Sequence, residues 1–287
     1  MTAMGTIVAA YDGSPEAAIA VRWAARQASL RNDALTVVHC SMWPAFTHDL
    51  GPVPGIADSG LRHAAEAVLA EGAVIAREES PGVPVTTVLK YGWAAGLLRD
   101  VAGGSGAAML VVGSRGIGGF MGLLLGSVSL ELAATADCPV AVIREGTHPD
   151  GPVVVGIDTA HPHWEPIVRQ ACTLATLTGA SLKIAHVHAK HGGKRHTAPP
   201  GPHRPEEVLD DVERTVRRWS PVLDVKAHTL PGSSTAGTLL EAARDASAIV
   251  VGAHGTGVVQ GSMGSTAHAV LHHALCPVVV VRPVEES

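Results

Sequence analysis

Four segments of the chain occur twice, in the same order and at nearly constant spacing. Thr6–Tyr11 with Asp12-Gly13-Ser14 is matched by Val153–Ile157 with Asp158-Thr159-Ala160, and Leu35–His39 is matched by Leu182–His186. Ala108–Val112 with Gly113-Ser114-Arg115-Gly116 is matched by Ile249–Val251 with Gly252-Ala253-His254-Gly255, and Cys138–Arg144 by Cys276–Arg282. The offsets run from 138 residues (Cys138 to Cys276) to 147 (Leu35 to Leu182), so the 287 residues are a tandem duplication. The polar seam at Glu145–Pro152, with its Gly and Pro residues, divides them into domains 1–147 and 151–287. Pro44–Gly60 and His188–Pro205 fall at the same place in each copy and read as one internal loop rather than as linkers.

Any fold for the chain must therefore be a fold for half of it. In the first half, short apolar runs at Thr6–Tyr11, Leu35–His39, Pro84–Leu89, Met109–Val112 and Val140–Arg144 predict strands. Between them, helical spacing covers Pro15–Leu30, Leu61–Glu79, Ala94–Ala102 and Ser127–Ala136. Apolar strands alternating with helices imply right-handed βαβ crossovers and a five-stranded parallel sheet, hence two tandem doubly wound α/β domains. Aromatics are only 3% of residues, so the cores must be aliphatic. Trp23, on the apolar face of the first helix, is assigned to that core. The apolar edge strands Val140–Arg144 and Val278–Arg282 are expected to be covered by sheet extension, as an intrachain pseudo-dimer or as a homodimer.

Several function classes fall away on composition. A net charge of −5 disfavours a nucleic-acid partner, which phosphate contacts would make basic. Ala107–Leu130 carries Arg115 as its only charge, but six glycines within it are incompatible with a spanning helix, so no membrane partner is expected. Met1–Ala10 lacks the features of a secretory signal, and the four scattered cysteines read as thiols of a reducing cytoplasm.

Chemistry concentrates after the fourth strand, where Gly113-x2-Gly116-x9-Gly126-Ser127 links a strand to a helix. Strand-end glycines let the backbone approach a ligand closely, and the helix start offers unpaired amides that favour an anion. The hydroxyls of Ser127 and Ser129 are candidate phosphate donors, with Val128 between them and Arg115 as an auxiliary cation. No Gly-x4-Gly-Lys-Ser/Thr occurs, so this is not a P-loop of that kind. Ligands of open α/β sheets bind at the carboxyl ends of the strands, where this loop begins.

Asp12-Gly13-Ser14 after the first strand, the Gly113–Ser127 pattern after the fourth, and Cys138-Pro139-Val140 before the fifth resemble the universal stress protein family. The tandem arrangement resembles its two-domain, ATP-binding actinobacterial members. The resemblance covers essentially the whole chain. It implies a sheet of order 3-2-1-4-5, of the adenine nucleotide alpha hydrolase-like type, with ATP and its accompanying magnesium at the carboxyl edge. It also implies that Ala10 and Asp12 contact the adenosine part and that the backbone at Cys40 lines the adenine pocket. Gly113, Gly116, Gly126 and Ser127 would then cradle ribose and phosphates. Trp43 and Phe46, after the second strand, lie at the adenine end.

The second copy departs from the pattern. Gly252 and Gly255 keep their spacing, but Gly264-Ser265-Thr266 follows after eight residues instead of nine. Gly156 and Asp158 are in place, Thr159-Ala160 replaces Gly-Ser, and Val187 stands where Cys40 does. Weaker or altered nucleotide binding is expected there. Asp12 and Asp158 also have a structural reading as helix N-caps. The pairs His268/His272, His186/His188 and His161/His163 read as packed or solvated imidazoles, no metal site being assigned, and His191–His203 reads as a solvated basic loop. No Gly-x-Ser-x-Gly elbow or nucleophile signature is present, and no catalytic residue is assigned. The expected activity is an ATP-binding regulator of a stress or dormancy response, acting on a protein partner through nucleotide-dependent ordering of the Gly113–Ser127 loop. A slow ATPase or nucleotidyl-transfer enzyme, and a nucleotide-free scaffold, remain as alternatives. Replacing both Gly113 and Gly126 by alanine is expected to remove binding and keep the fold.

Overall fold

The computed structural model describes residues 5–42, 57–117, 125–144, 148–160, 163–189, 204–253 and 263–282. The chain divides into two compact units, one of Met1–Leu132 and Ala136–Arg144, the other of Ala133–Thr135 and Glu145–Ser287.

In the first unit the elements run β1 (Thr6–Ala10), α1 (Pro15–Arg31), β2 (Ala34–Ser41), α2 (Ala57–Glu79), β3 (Val85–Tyr91), α3 (Ala94–Gly104), β4 (Met109–Gly113), α4 (Ser127–Thr135) and β5 (Val140–Ile143). Every strand pairing within the unit is parallel, and the order is β3-β2-β1-β4-β5. Ile7 sits beside Leu35 on one side and Met109 on the other, so the first strand of the chain is the centre of the sheet. Its middle residues Ile7, Val8 and Ala9 and all of β4 are buried. Such strands, covered on both faces, have to be apolar throughout rather than alternating. Right-handed crossovers then put α1 and α2, which pack on each other, on one face, with α3 and α4 on the other. Trp23 is 8% exposed and belongs to the core of the first face.

α1 shows why the chain turns where it does. Ser14 is its N-cap, its Oγ accepting from the Ala17 N–H at 3.2 Å, and Pro15 starts the helix. Asn32 ends it in the left-handed conformation, at φ 55°.

The second unit repeats the plan: β6 (Val153–Gly156), α5 (Glu165–Thr178), β7 (Leu182–Ala189), α6 (Pro205–Trp219), β8 (Val225–Gly232), α7 (Thr235–Ala242), β9 (Ala248–Gly252), α8 (Ser265–His273) and β10 (Val278–Val281). Its strands are parallel in the order β8-β7-β6-β9-β10, with β6 central. Among the described residues no helix is long and apolar enough to cross a membrane. The stretch that most resembled one resolves into β4, a loop root and the start of α4.

In both units the chain runs outward in one direction from the central strand, then returns to pair on its other side. A crevice necessarily opens above the carboxyl ends of the two strands that flank this reversal, β1/β4 and β6/β9.

Candidate functional site

The crevice of the first unit holds a cavity of about 440 Å3. All ten residues proposed for that copy line it: Ala10, Asp12, Cys40, Gly113, Arg115, Gly116, Gly126, Ser127, Val128 and Ser129. They come from the ends of β1, β2 and β4 and from the first turn of α4, elements brought together only by the switch in strand order.

The cavity has two chemically different ends. Val38 and Cys40 of β2, with Ala94 and Leu98 of α3, form an apolar wall beside Ala10. Burial pushes the Cys40 thiol up to about 11, with Lys90 opposing, so this wall presents a protonated thiol at neutral pH. The other end is backbone. α4 starts at Gly126, which makes no side-chain cap bond, so the helix offers its first amides outward, together with the Ser127 hydroxyl. Gly126 itself is tied to the loop root, its N–H donating to the Ser114 carbonyl at 2.8 Å.

Asp12 joins the two ends. Its Oδ1 accepts from the Ser14 N–H at 3.0 Å and the Ser14 Oγ–H at 2.6 Å, and its Oδ2 accepts from the Ile117 N–H at 2.9 Å. The capping reading of Asp12 is thereby corrected. Ser14 caps α1, and Asp12, two residues earlier, holds Ser14 in place as an Asx turn does. Asp158 is corrected likewise: it accepts from the Ala160 N–H at 3.0 Å, whereas the N-cap of α5 is Trp164. Gly116 has to lack a side chain, because a Cβ there would fall on Asp12 Oδ2.

Two expected phosphate ligands are committed elsewhere. The Ser129 Oγ–H donates to the Gly113 carbonyl at 2.7 Å, in a buried bond between α4 and the end of β4. Its single proton is therefore unavailable to an anion, which leaves Ser127 and the amides. The Arg115 guanidinium lies 2.7 Å from Glu16 Oε1, its charge already met by a carboxylate.

Tyr11 was not anticipated. It is 3% exposed, lines the cavity, and donates its phenol to Glu71 of α2. Burial first, then the Glu71 and Asp12 carboxylates, push its pKa up to about 12. Gly72 makes room for it, since a Cβ there would lie 2.7 Å from the ring. The sequence held a faint signal in the shared histidine. His39 Nδ1–H donates to the Tyr11 carbonyl at 2.8 Å, as His186 does to Ile157 at 3.4 Å, fixing the residue that precedes each aspartate. Ala94 and Leu98 were also missed, because cavity wall and helix core share one spacing.

The second unit has a smaller cavity, about 320 Å3, at the equivalent place. It is lined by Gly156, Asp158, Val187, Gly252, Gly264, Ser265 and Thr266, with His163, His186 and Trp164 added. Leu239 presses on Gly156, where a Cβ would come within 2.8 Å of it. Gly255, Trp43, Phe46, His161 and His191–His203 lie outside the described residues. His268 and His272 stack on α8 with ring centroids 4.5 Å apart, and among the described residues no group of three potential ligands could hold a metal ion.

The sequence pattern of the universal stress protein family matches residues 4–144 and again 151–282. The chain belongs to the universal stress protein family. A universal stress protein of Mycolicibacterium smegmatis is 33% identical over 292 residues, covering 96% of this chain and 97% of that one. One of Mycobacterium tuberculosis is 32% identical over 294 residues, covering 96% of each chain. Among solved structures, a universal stress protein of Archaeoglobus fulgidus superposes with a TM-score of 0.72 at 20% identity, over 97% of this chain and 98% of that one. The tandem layout is thus shared over whole chains of universal stress proteins.

Proposed function

We propose that the first unit binds an adenine nucleotide, ATP, and that this tandem universal stress protein is a nucleotide-responsive regulator rather than a catalyst. The observation that carries the reading is the polarity of one cavity. Its apolar wall of Val38, Cys40, Ala94 and Leu98 suits a base, and its uncapped helix start at Gly126-Ser127 suits phosphates. Asp12 stands between them, where a ribose would lie. The Cβ positions of Gly113 and Gly116 are filled by backbone and by Asp12, so the floor under the phosphates is bare main chain. ATP would bring magnesium on its phosphates, and no side chain of this protein is assigned to hold the ion.

Regulation would act through Asp12. A ligand that engages this carboxylate competes with the Ile117 N–H for Oδ2, so occupancy alters the root of the glycine loop and the surface it presents to a protein partner. Family membership supports a role in stress or dormancy, in the cytoplasm. The second unit, with its smaller cavity and a loop one residue shorter, would bind nucleotide more weakly. Mass spectrometry of ligand released from the purified protein, followed by calorimetry with ATP, ADP and AMP, tests the reading. ATP binding that is lost in Gly126→Asp is expected. Absence of any released nucleotide, together with no heat of binding, would refute it.

A further inference from the structure

The helix that walls the apolar end of the first cavity begins without a proper cap. The N-cap of α3 is Trp93, which gives no side-chain hydrogen bond to the first turn. Its counterpart α7 has Ser234 there, whose Oγ accepts from the Gly237 N–H at 3.3 Å. The residues that follow establish the correspondence, since Ala94 and Leu98 line the first cavity as Thr235 and Leu239 line the second. Serine is a preferred cap, whereas an indole has no acceptor to offer. Trp93 is moreover 79% exposed, although large aromatics gain the most from burial. One copy of a duplicated fold thus carries a residue that serves neither its helix nor its free surface. Such local conflicts mark functional positions.

Location supplies the reason. β3 ends at Tyr91, in register with Ser41 of β2, and the Gly92 N–H donates to the Ser41 carbonyl at 3.0 Å. Trp93 comes next, three residues after Lys90, the register partner of Cys40, and immediately before Ala94 of the apolar wall. Ile117, which also lines the cavity, is 72% exposed, so the rim carries a second large apolar group.

We infer that Trp93 is a stacking residue of the nucleotide site, its indole closing over the adenine base at the apolar end. The inference rests on the adenine-nucleotide reading of this cavity and adds a residue that favours a flat aromatic group there. Stacking on an indole requires no hydrogen-bond pattern from the base, only area. Ser234 offers no such face, so the second unit lacks this surface.

The test is ATP calorimetry on the full chain with Trp93→Ser and Trp93→Phe, alongside tryptophan emission. Trp93→Ser restores a capping residue, so its thermal stability should match or exceed that of the wild type and weaker binding cannot be ascribed to unfolding. Its affinity for ATP is expected to fall about tenfold, with Trp93→Phe recovering most of the loss. Wild-type emission should change on ATP binding, and that change should be clearly smaller in Trp93→Phe while binding persists, the remainder coming from the other tryptophans, Trp164 of the second cavity among them. Unchanged affinity in Trp93→Ser, or an emission change as large in Trp93→Phe as in the wild type, overturns the inference and leaves the nucleotide reading intact. A wild-type protein that binds no adenine nucleotide removes that reading first, and this inference with it.

Discussion

A methyl group on Gly113 would come 2.9 Å from the Glu16 carbonyl carbon and 3.0 Å from the Ala17 nitrogen, both backbone atoms of the start of α1. Neither can swing aside as a side chain would. Gly113→Ala is therefore expected to destabilise the first unit by about 1–3 kcal/mol, read as a lower urea midpoint. At Gly126 the nearest neighbour of an added Cβ is the Ser114 carbonyl oxygen, at 3.5 Å, so Gly126→Ala should leave the midpoint nearly unchanged. The sequence motif treats these glycines alike, whereas the space around an added Cβ separates them. Tyr11 gives a second prediction at this scale. Its pKa is raised to about 12 from the ordinary 10.0 of a tyrosine phenol, so the folded state prefers the protonated phenol. That contribution is fully present below pH 10 and is lost as pH rises toward 12. In Tyr91→Phe, which leaves Tyr11 as the only phenol of the chain's two, phenolate absorbance should develop near pH 12 and accompany loss of structure.

At the scale of elements, α4 carries the most information. Gly126 leaves its first amides without a side-chain partner, and Ser129 ties its first turn to β4. Gly126→Asp would supply an internal acceptor to those amides and place a carboxylate where phosphates are proposed. It is expected to keep thermal stability and to weaken ATP binding more than tenfold in calorimetry. Ser129→Ala removes the donor to a buried carbonyl and should cost about 1–3 kcal/mol in urea unfolding. How far these elements were legible depended on what each residue contacts. Strand and helix order followed from apolar periodicity, because parallel strands buried on both faces leave a strong pattern. α2 begins at Ala57, four residues before the expected Leu61, since its first turn lies within a Gly- and Pro-containing stretch with no apolar spacing. The glycine spacing located the cavity, but which hydroxyls were free to serve it was not legible. Ser127 and Ser129 look equivalent in sequence, and only the fold brings the Gly113 carbonyl against one of them. Likewise an aspartate before Ser-Pro looks like a cap until Ser14 takes that role.

At the scale of the molecule, the two copies share a topology and differ in their cavities, so a ligand should distinguish them. ATP at a hundredfold excess over its dissociation constant stabilises the unit that binds it by about 2.7 kcal/mol. Scanning calorimetry is expected to show one unfolding transition moving upward by several degrees with ATP while the other moves less. Equal displacement of both transitions would contradict the inequality of the cavities. The central position of β1 bears on something other than the finished protein. One of the two neighbours of Ile7, Met109, is made 102 residues after it, and in the second half Val153 waits 95 residues for Ala248. At about 5–20 residues per second, each half passes several seconds of its synthesis with its central strand open along one side. A nascent chain built this way needs protection from aggregation twice over, once for each copy.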